Sequence, residues 1–284
     1  MKLFKKVKYP NGRRHIYLFG VKIFSYQKQT DKNFIHLEQK INNTNPNLSN
    51  LWHVQRVKKL HSETFKKFKN INSEKDIVIV CTGPSLNNFI PIKDAIYIGV
   101  NKAFAFDKIN LDYLFMQDYV GSKKYIEDSF PYKNKNLIRF YGIEPVYKIP
   151  YFTIPESVSL RHNALRYYCH SSFSDTPELP DIFAYDLCSE ELYAKGSTVF
   201  PAIQFALYTN PKRIFLVGCD CSASGHFDTK DNTSDLSNLI SHWKKLKQFI
   251  QEYYPETEII SVNPVGLKGL FIDYFQKRNI NYEK

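Results

Sequence analysis

Five short apolar runs constrain this chain more than any other feature. They are Asp76–Cys81 (DIVIVC), Ala95–Val100 (AIYIGV), Leu111–Met116 (LDYLFM), Arg213–Gly218 (RIFLVG) and Glu258–Val262 (EIISV). Each is too short for a helix with a buried face and too continuous for a strand with one wet side. Runs of this kind mark parallel strands covered on both faces. Leu137–Tyr141 reads as a further strand. Two helical patterns lie among them. Ser197–Tyr208 carries Pro201 in its first turn, where proline is tolerated, and Leu236–Tyr254 is amphipathic and stops at Pro255. Strands alternating with helices predict an α/β fold, a parallel sheet with helices on both faces. At 284 residues and 43% hydrophobic content the chain can bury one large core. Residues 142–192 hold several prolines and scattered aromatics, and read as an insertion, a lid or an acceptor-facing segment.

In a parallel sheet the ligand sits at the carboxyl ends of the strands. Here those ends carry Thr82–Ser85, Asn101–Lys102, Gln117–Asp118, Cys219–Asp220 and Asn263. A single polar residue at a strand end usually caps the next helix. Five together argue for a site. The first turn, Thr82-Gly83-Pro84-Ser85-Leu86, has one glycine and matches neither a dinucleotide loop nor a P-loop. The glycine would still let the backbone approach a phosphate, next to free N–H groups of the following helix. A second motif, Lys195-Gly196-Ser197-Thr198, joins a cation, a flexible turn and two hydroxyls at a helix start. The hydroxyls either cap the helix or hold a carboxylate or phosphate beside Lys195. His226 and His242 read equally as ordinary surface or helix histidines and as acid–base groups.

The charge is uneven. Residues 1–70 hold 16 Lys and Arg against three acids, a balance of +13, while the remainder sits at −2. This segment reads as a basic extension preceding a domain over 71–284. It comprises a hairpin in residues 1–28 around Pro10-Asn11-Gly12, a polar linker, and a helix over 51–70 with Leu51, Val54, Val57, Leu60, Thr64, Phe65 and Phe68 on one face. Such a segment suits an anionic membrane surface, a nucleic acid, or plain solvation of a basic helix. The near-neutral remainder argues against nucleic acid. No run of about 18 apolar residues is present and the first residues lack a secretory pattern, so the expected location is cytoplasmic, peripheral at the inner membrane face. Five cysteines without paired spacing predict reduced thiols rather than disulfides or zinc.

The ordered set IVIVCTGPSL, IGVNKAFAF, GSTVFPAIQFAL, IFLVGCD, GHFDTK and SVNP resembles the bacterial sialyltransferases of glycosyltransferase family 42. It is also similar to the transferase core of motility-associated flagellin-glycosylating proteins and to some Kdo transferases. The resemblance spans about residues 75–270. It implies a Rossmann-like, GT-A-variant sheet and an inverting transfer of a sialic-acid-like or Kdo residue from its CMP ester to a bacterial surface glycan (lipooligosaccharide, lipopolysaccharide or capsule), with an acceptor that is lipid-linked in one version. On this resemblance Gly83, Ser85, Asn101, Gln117, Lys195, Ser197, Thr198 and Asp220 bind the donor, and the strand-end positions Thr82, Asp118 and Asn263 are added to them. The family's base histidine has no exact match; His242 lies in its region and is assigned the base, and His226 is assigned the leaving phosphate. No cofactor beyond the CMP-sugar and no divalent metal is implied, and a homo-oligomer stays open. The chain departs from the family pattern at Thr82, where asparagine is common, and at Lys195, where arginine stands. Ser222, Ser224 and His226 fill the stretch where two phosphate-steadying tyrosines are expected. A pterin diphosphokinase-like enzyme is the rival reading, because a similar glycine turn and aspartate occur there; a nucleic-acid binder is the third.

Overall fold

A computed structural model describes residues 4–8, 13–18, 21–27, 46–119, 123–143, 153–170, 183–229 and 235–275; of 4–27 and 46–50 it describes the backbone only. The chain divides into two compact units, Met1–Gln55 and Arg56–Lys284. In the smaller, β1 (Phe4–Lys8), β2 (Arg13–Leu18) and β3 (Val21–Gln27) form a three-stranded antiparallel sheet, one strand more than a hairpin. The Pro10–Gly12 turn and the linker through residue 45 lie outside the described residues. Helix α1 (Pro46–Phe65) follows and continues as a 3₁₀ turn, Lys66–Phe68.

The larger unit is built on nine parallel strands. They are β4 (Asp76–Val80), β5 (Ile96–Val100), β6 (Tyr113–Met116), β7 (Ile138–Ile143), β8 (Leu165–His170), β9 (Leu192–Tyr193), β10 (Arg213–Val217), β11 (Glu258–Val262) and β12 (Ile272–Asp273). Their order is β12-β11-β10-β4-β5-β6-β7-β8-β9. The chain thus winds from β4 outward to β9, then returns to the other side of β4 as β10. This is a Rossmann-like α/β fold, as the apolar runs predict, and its topological switch point lies between β4 and β10. The register places Val217 opposite Val80 at the carboxyl ends of both strands.

Alternation along the strands divides the core in two. Ile77, Ile79, Ile98, Val100, Phe115 and Phe140 face one side, where the end of α1, α4 (Val199–Tyr208) and α5 (Ile240–Tyr253) pack. Val78, Val80, Leu114, Met116, Tyr141 and Val217 face the other. That side is covered by the 3₁₀ turns Pro84–Asn88 and Asn101–Ala105, by α2 (Lys123–Asp128) and by α3 (Glu156–Arg161). Phe65 stacks on Phe140 with ring centroids 5.8 Å apart, and Phe68 meets Phe205 edge-on at 5.2 Å. These two phenylalanines are core, so the larger unit begins inside α1 rather than at residue 71.

The segment 142–192 is not a plain insertion. Its described part supplies α3, β8 and β9, which carry the sheet to its edge. Residues 144–152 and 171–182 lie outside the described residues. No described helix is long and apolar enough to cross a membrane.

Candidate functional site

Four of the expected site residues meet at the switch point. The backbone N–H of Ser85 donates to Asp220 Oδ2 at 2.9 Å, and the Ser85 hydroxyl donates to Asp220 Oδ1. Asp220 is buried, with both oxygens engaged by the first turn. It therefore acts here as a clamp between the loops after β4 and β10. Gly83 serves the same closure. Its N–H donates to Gly218 O at 2.9 Å, and a Cβ at this position would stand 2.5 Å from Asp220 Cγ. What needs the glycine in this structure is the approach of the two loops to each other. Gly218 turns with φ +65, and a Cβ there would strike Cys81 O at 2.7 Å.

A turn from His226 to Thr229 is seated on this clamp. Thr82 Oγ1 lies 2.9 Å from His226 Nδ1, and Thr82 O accepts the Phe227 N–H at 2.8 Å. Asn87 Nδ2 donates to Phe227 O at 3.0 Å, and the Phe227 ring meets Phe106 edge-on at 5.9 Å. Asp228 reaches Lys102 Nζ at 3.3 Å. His226 itself is exposed.

The next strand ends carry amides. Asn101 and Asn263 both turn the chain with positive φ, at 52° and 53°. Gln117 is buried, and Gly142 on the adjacent strand leaves room for it. Gln117 Oε1 and Asn263 Nδ2 are buried atoms with no hydrogen-bond partner in the protein. An unmet polar atom at a strand end is costly unless a ligand or water meets it. Asp118, next to Gln117, is half-buried.

A second group forms around His242. The Tyr193 hydroxyl lies 2.8 Å from His242 Nδ1, and Phe200 packs edge-on against the imidazole. Burial first, and the Lys195 charge second, hold His242 below the usual histidine range. Burial raises the Tyr193 pKa, so its phenol stays protonated. Lys195 and Gly196 take consecutive positive φ values, 40° and 69°, ahead of α4. Thr198 is buried and makes no side-chain cap bond, so the capping reading fails for it. Ser197 lies one residue earlier, half-buried. Trp243, next to His242, is fully buried and belongs to the same core cluster as Cys221, which follows Asp220. This links the two groups through the core.

All five cysteines are free thiols. Cys81 and Cys219 lie across the switch point with sulfurs 3.2 Å apart. That contact and burial push the Cys219 thiol well up, and burial pushes Cys221 up to about 12. Among the described residues no group of three or more His, Cys, Asp or Glu side chains is placed to hold a metal ion. A cavity of about 670 Å³ lies at the opposite, amino ends of β10 and β11, beside Lys212, Arg213, Lys247 and Glu256. Arg213 there is already bound to Asp76 through both carboxylate oxygens.

Lys102 and Tyr193 are the site neighbours that motif reading underweighted. Lys102 stands beside Asn101 in the strand-end pattern, which was the available signal. Tyr193 carries no sequence signal, because its meeting with His242 spans 49 residues. Compared with protein-family models, curated proteins and solved structures, the chain finds no match.

Proposed function

We propose that the protein is an inverting glycosyltransferase that moves a sialic-acid-like or Kdo residue from its CMP ester to a surface-glycan acceptor. The observation that carries this reading is the switch point between β4 and β10, where Asp220 joins the two loops and His226 rests on Thr82, with a proton-poor His242 held by Tyr193. Switch-point crevices are where open α/β sheets take nucleotides. In the proposed reaction the bond between the anomeric carbon and the CMP phosphate breaks and a bond to the acceptor oxygen forms. His242 takes the acceptor hydroxyl proton; a histidine kept neutral at pH 7 suits a base. His226 meets the phosphate as CMP departs. The unmet atoms of Gln117 and Asn263 support donor contacts at the neighbouring strand ends. Lys195, Ser197 and Thr198 are assigned to the donor carboxylate.

The basic charge of residues 1–70 supports a peripheral position on an anionic membrane face, near a lipid-linked acceptor. Thermal shift separates the readings. CMP stabilises a CMP-sugar transferase by mass action, ATP with Mg²⁺ a pterin diphosphokinase-like enzyme, and single-stranded RNA a nucleic-acid binder. No shift with CMP, against a clear shift with either other ligand, overturns the proposal.

A further inference from the structure

We propose that the Lys102 amine receives the phosphate of the nucleotide donor, and that Asp228 holds this anion position until the donor enters. The inference rests on the nucleotide-sugar reading and assigns a residue which that reading leaves without a role. Lys102 follows Asn101 at the carboxyl end of β5, one strand from the switch point. Of the two residues that directly follow each of β4, β5, β6, β10 and β11, it is the one cation. Its side chain is 14% exposed, with Nζ 4.1 Å from the centre of the Tyr125 ring. The side chain is largely covered along its length, and its ammonium stands beside an anionic partner.

Asp228 fills that place loosely. The 3.3 Å separation is longer than the 2.7–2.9 Å of a good charge-assisted hydrogen bond. The carboxylate is also 33% exposed, on the surface side of the pair. Nor is the pair required to seat the turn, which Thr82, Asn87 and Phe106 already hold through His226 and Phe227. Burial works against the Lys102 charge, but the Tyr125 hydroxyl and Asp228 outweigh it and the pKa lies above the ordinary lysine value. The amine is therefore charged. A CMP-linked keto-acid sugar carries two anionic groups, a phosphodiester and a carboxylate. Lys102, at the end of the central strand β5, is assigned the phosphodiester.

Isothermal titration of the full-length protein with CMP and with cytidine tests this, because the two ligands differ only in the phosphate. The wild type is expected to prefer CMP. Lys102→Met should weaken CMP about tenfold or more and leave cytidine unchanged. Asp228→Asn should strengthen CMP several-fold at low salt, again with cytidine unchanged. If Lys102→Met keeps the wild-type preference for CMP, the Lys102 assignment falls and the nucleotide reading stands. If the wild type binds neither ligand, both fall. Should Lys102→Met fail to fold, Asp228→Asn decides alone, and unchanged or weaker CMP binding overturns the assignment.

Discussion

At the scale of single residues, the loops of the candidate site are held by one another before any ligand arrives. Gly83 is the tightest point, since any Cβ meets Asp220 and Gly218 O. Gly83→Ala is expected to cost about 1–3 kcal/mol through overpacking. Chemical denaturation measures this, and a wild-type midpoint would show that the loops part freely. His242 gives the second expectation. With its pKa held below about 6.5, the acid limb of kcat should fall below that value. Lys195→Met removes one of the two causes and should move the limb upward, toward pH 6.5; a limb that stays put detaches Lys195 from the base. The residues of the clamp were legible in the sequence as strand-end polar groups. Their pairing was not, because Ser85 and Asp220 stand 135 positions apart. Only the switch in strand order brings them together. The resemblance assigns Gly83 and Asp220 to the donor; in the structure Gly83 N–H meets Gly218 O and Asp220 accepts from Ser85, so both also close the two loops on each other.

At the scale of elements, α4 is the piece on which the second group depends. All ten of its residues are buried. Gln204 ties it to β9. Its Oε1 accepts the N–H groups of Ala184 and Tyr193, and its Nε2 donates to Tyr193 O and Phe200 O. Gln204→Leu leaves two buried N–H groups without partners, each worth about 1–3 kcal/mol. The variant should melt well below the wild type, and hydrogen exchange at Tyr193 should quicken. Equal melting temperatures would contradict the tie. The strands β4, β5, β6, β10 and β11 were legible because both faces are apolar. Strand β8 (LRYYCH) was not, since Arg166 and His170 break the run. It is fastened instead from α1, where Thr64 Oγ1 donates to Arg166 O and His61 accepts the Tyr168 N–H. Those contacts lie about a hundred residues apart in sequence.

At the scale of the whole molecule, the boundary within α1 changes what can be removed. A chain beginning at Ser73 loses Phe65 and Phe68 from the core, at about 3–5 kcal/mol for each large aromatic. That should abolish cooperative folding, whereas a chain beginning at Arg56 should retain it. Circular dichroism melts of the two decide, and a folded Ser73 chain would contradict the packing described. Stability should also fall in acid. His162 is buried against Tyr141 and Phe130, and burial lowers its pKa, as it does for His242. The unfolded chain then binds more protons than the folded one. Stability is full above about pH 6.5 and is lost as pH falls toward the folded values. His162→Gln should flatten that slope. Full-length protein should pellet with anionic vesicles at low salt and release at high salt.

The most direct measurement is CMP release from CMP-sialic acid and CMP-Kdo, followed with wild type and His242→Ala. The expected result is turnover of at least one donor by the wild type, with kcat lower by about 10²–10⁴ in a folded His242→Ala protein. Wild-type protein that releases CMP from neither donor, or a His242→Ala protein that matches it, contradicts the account.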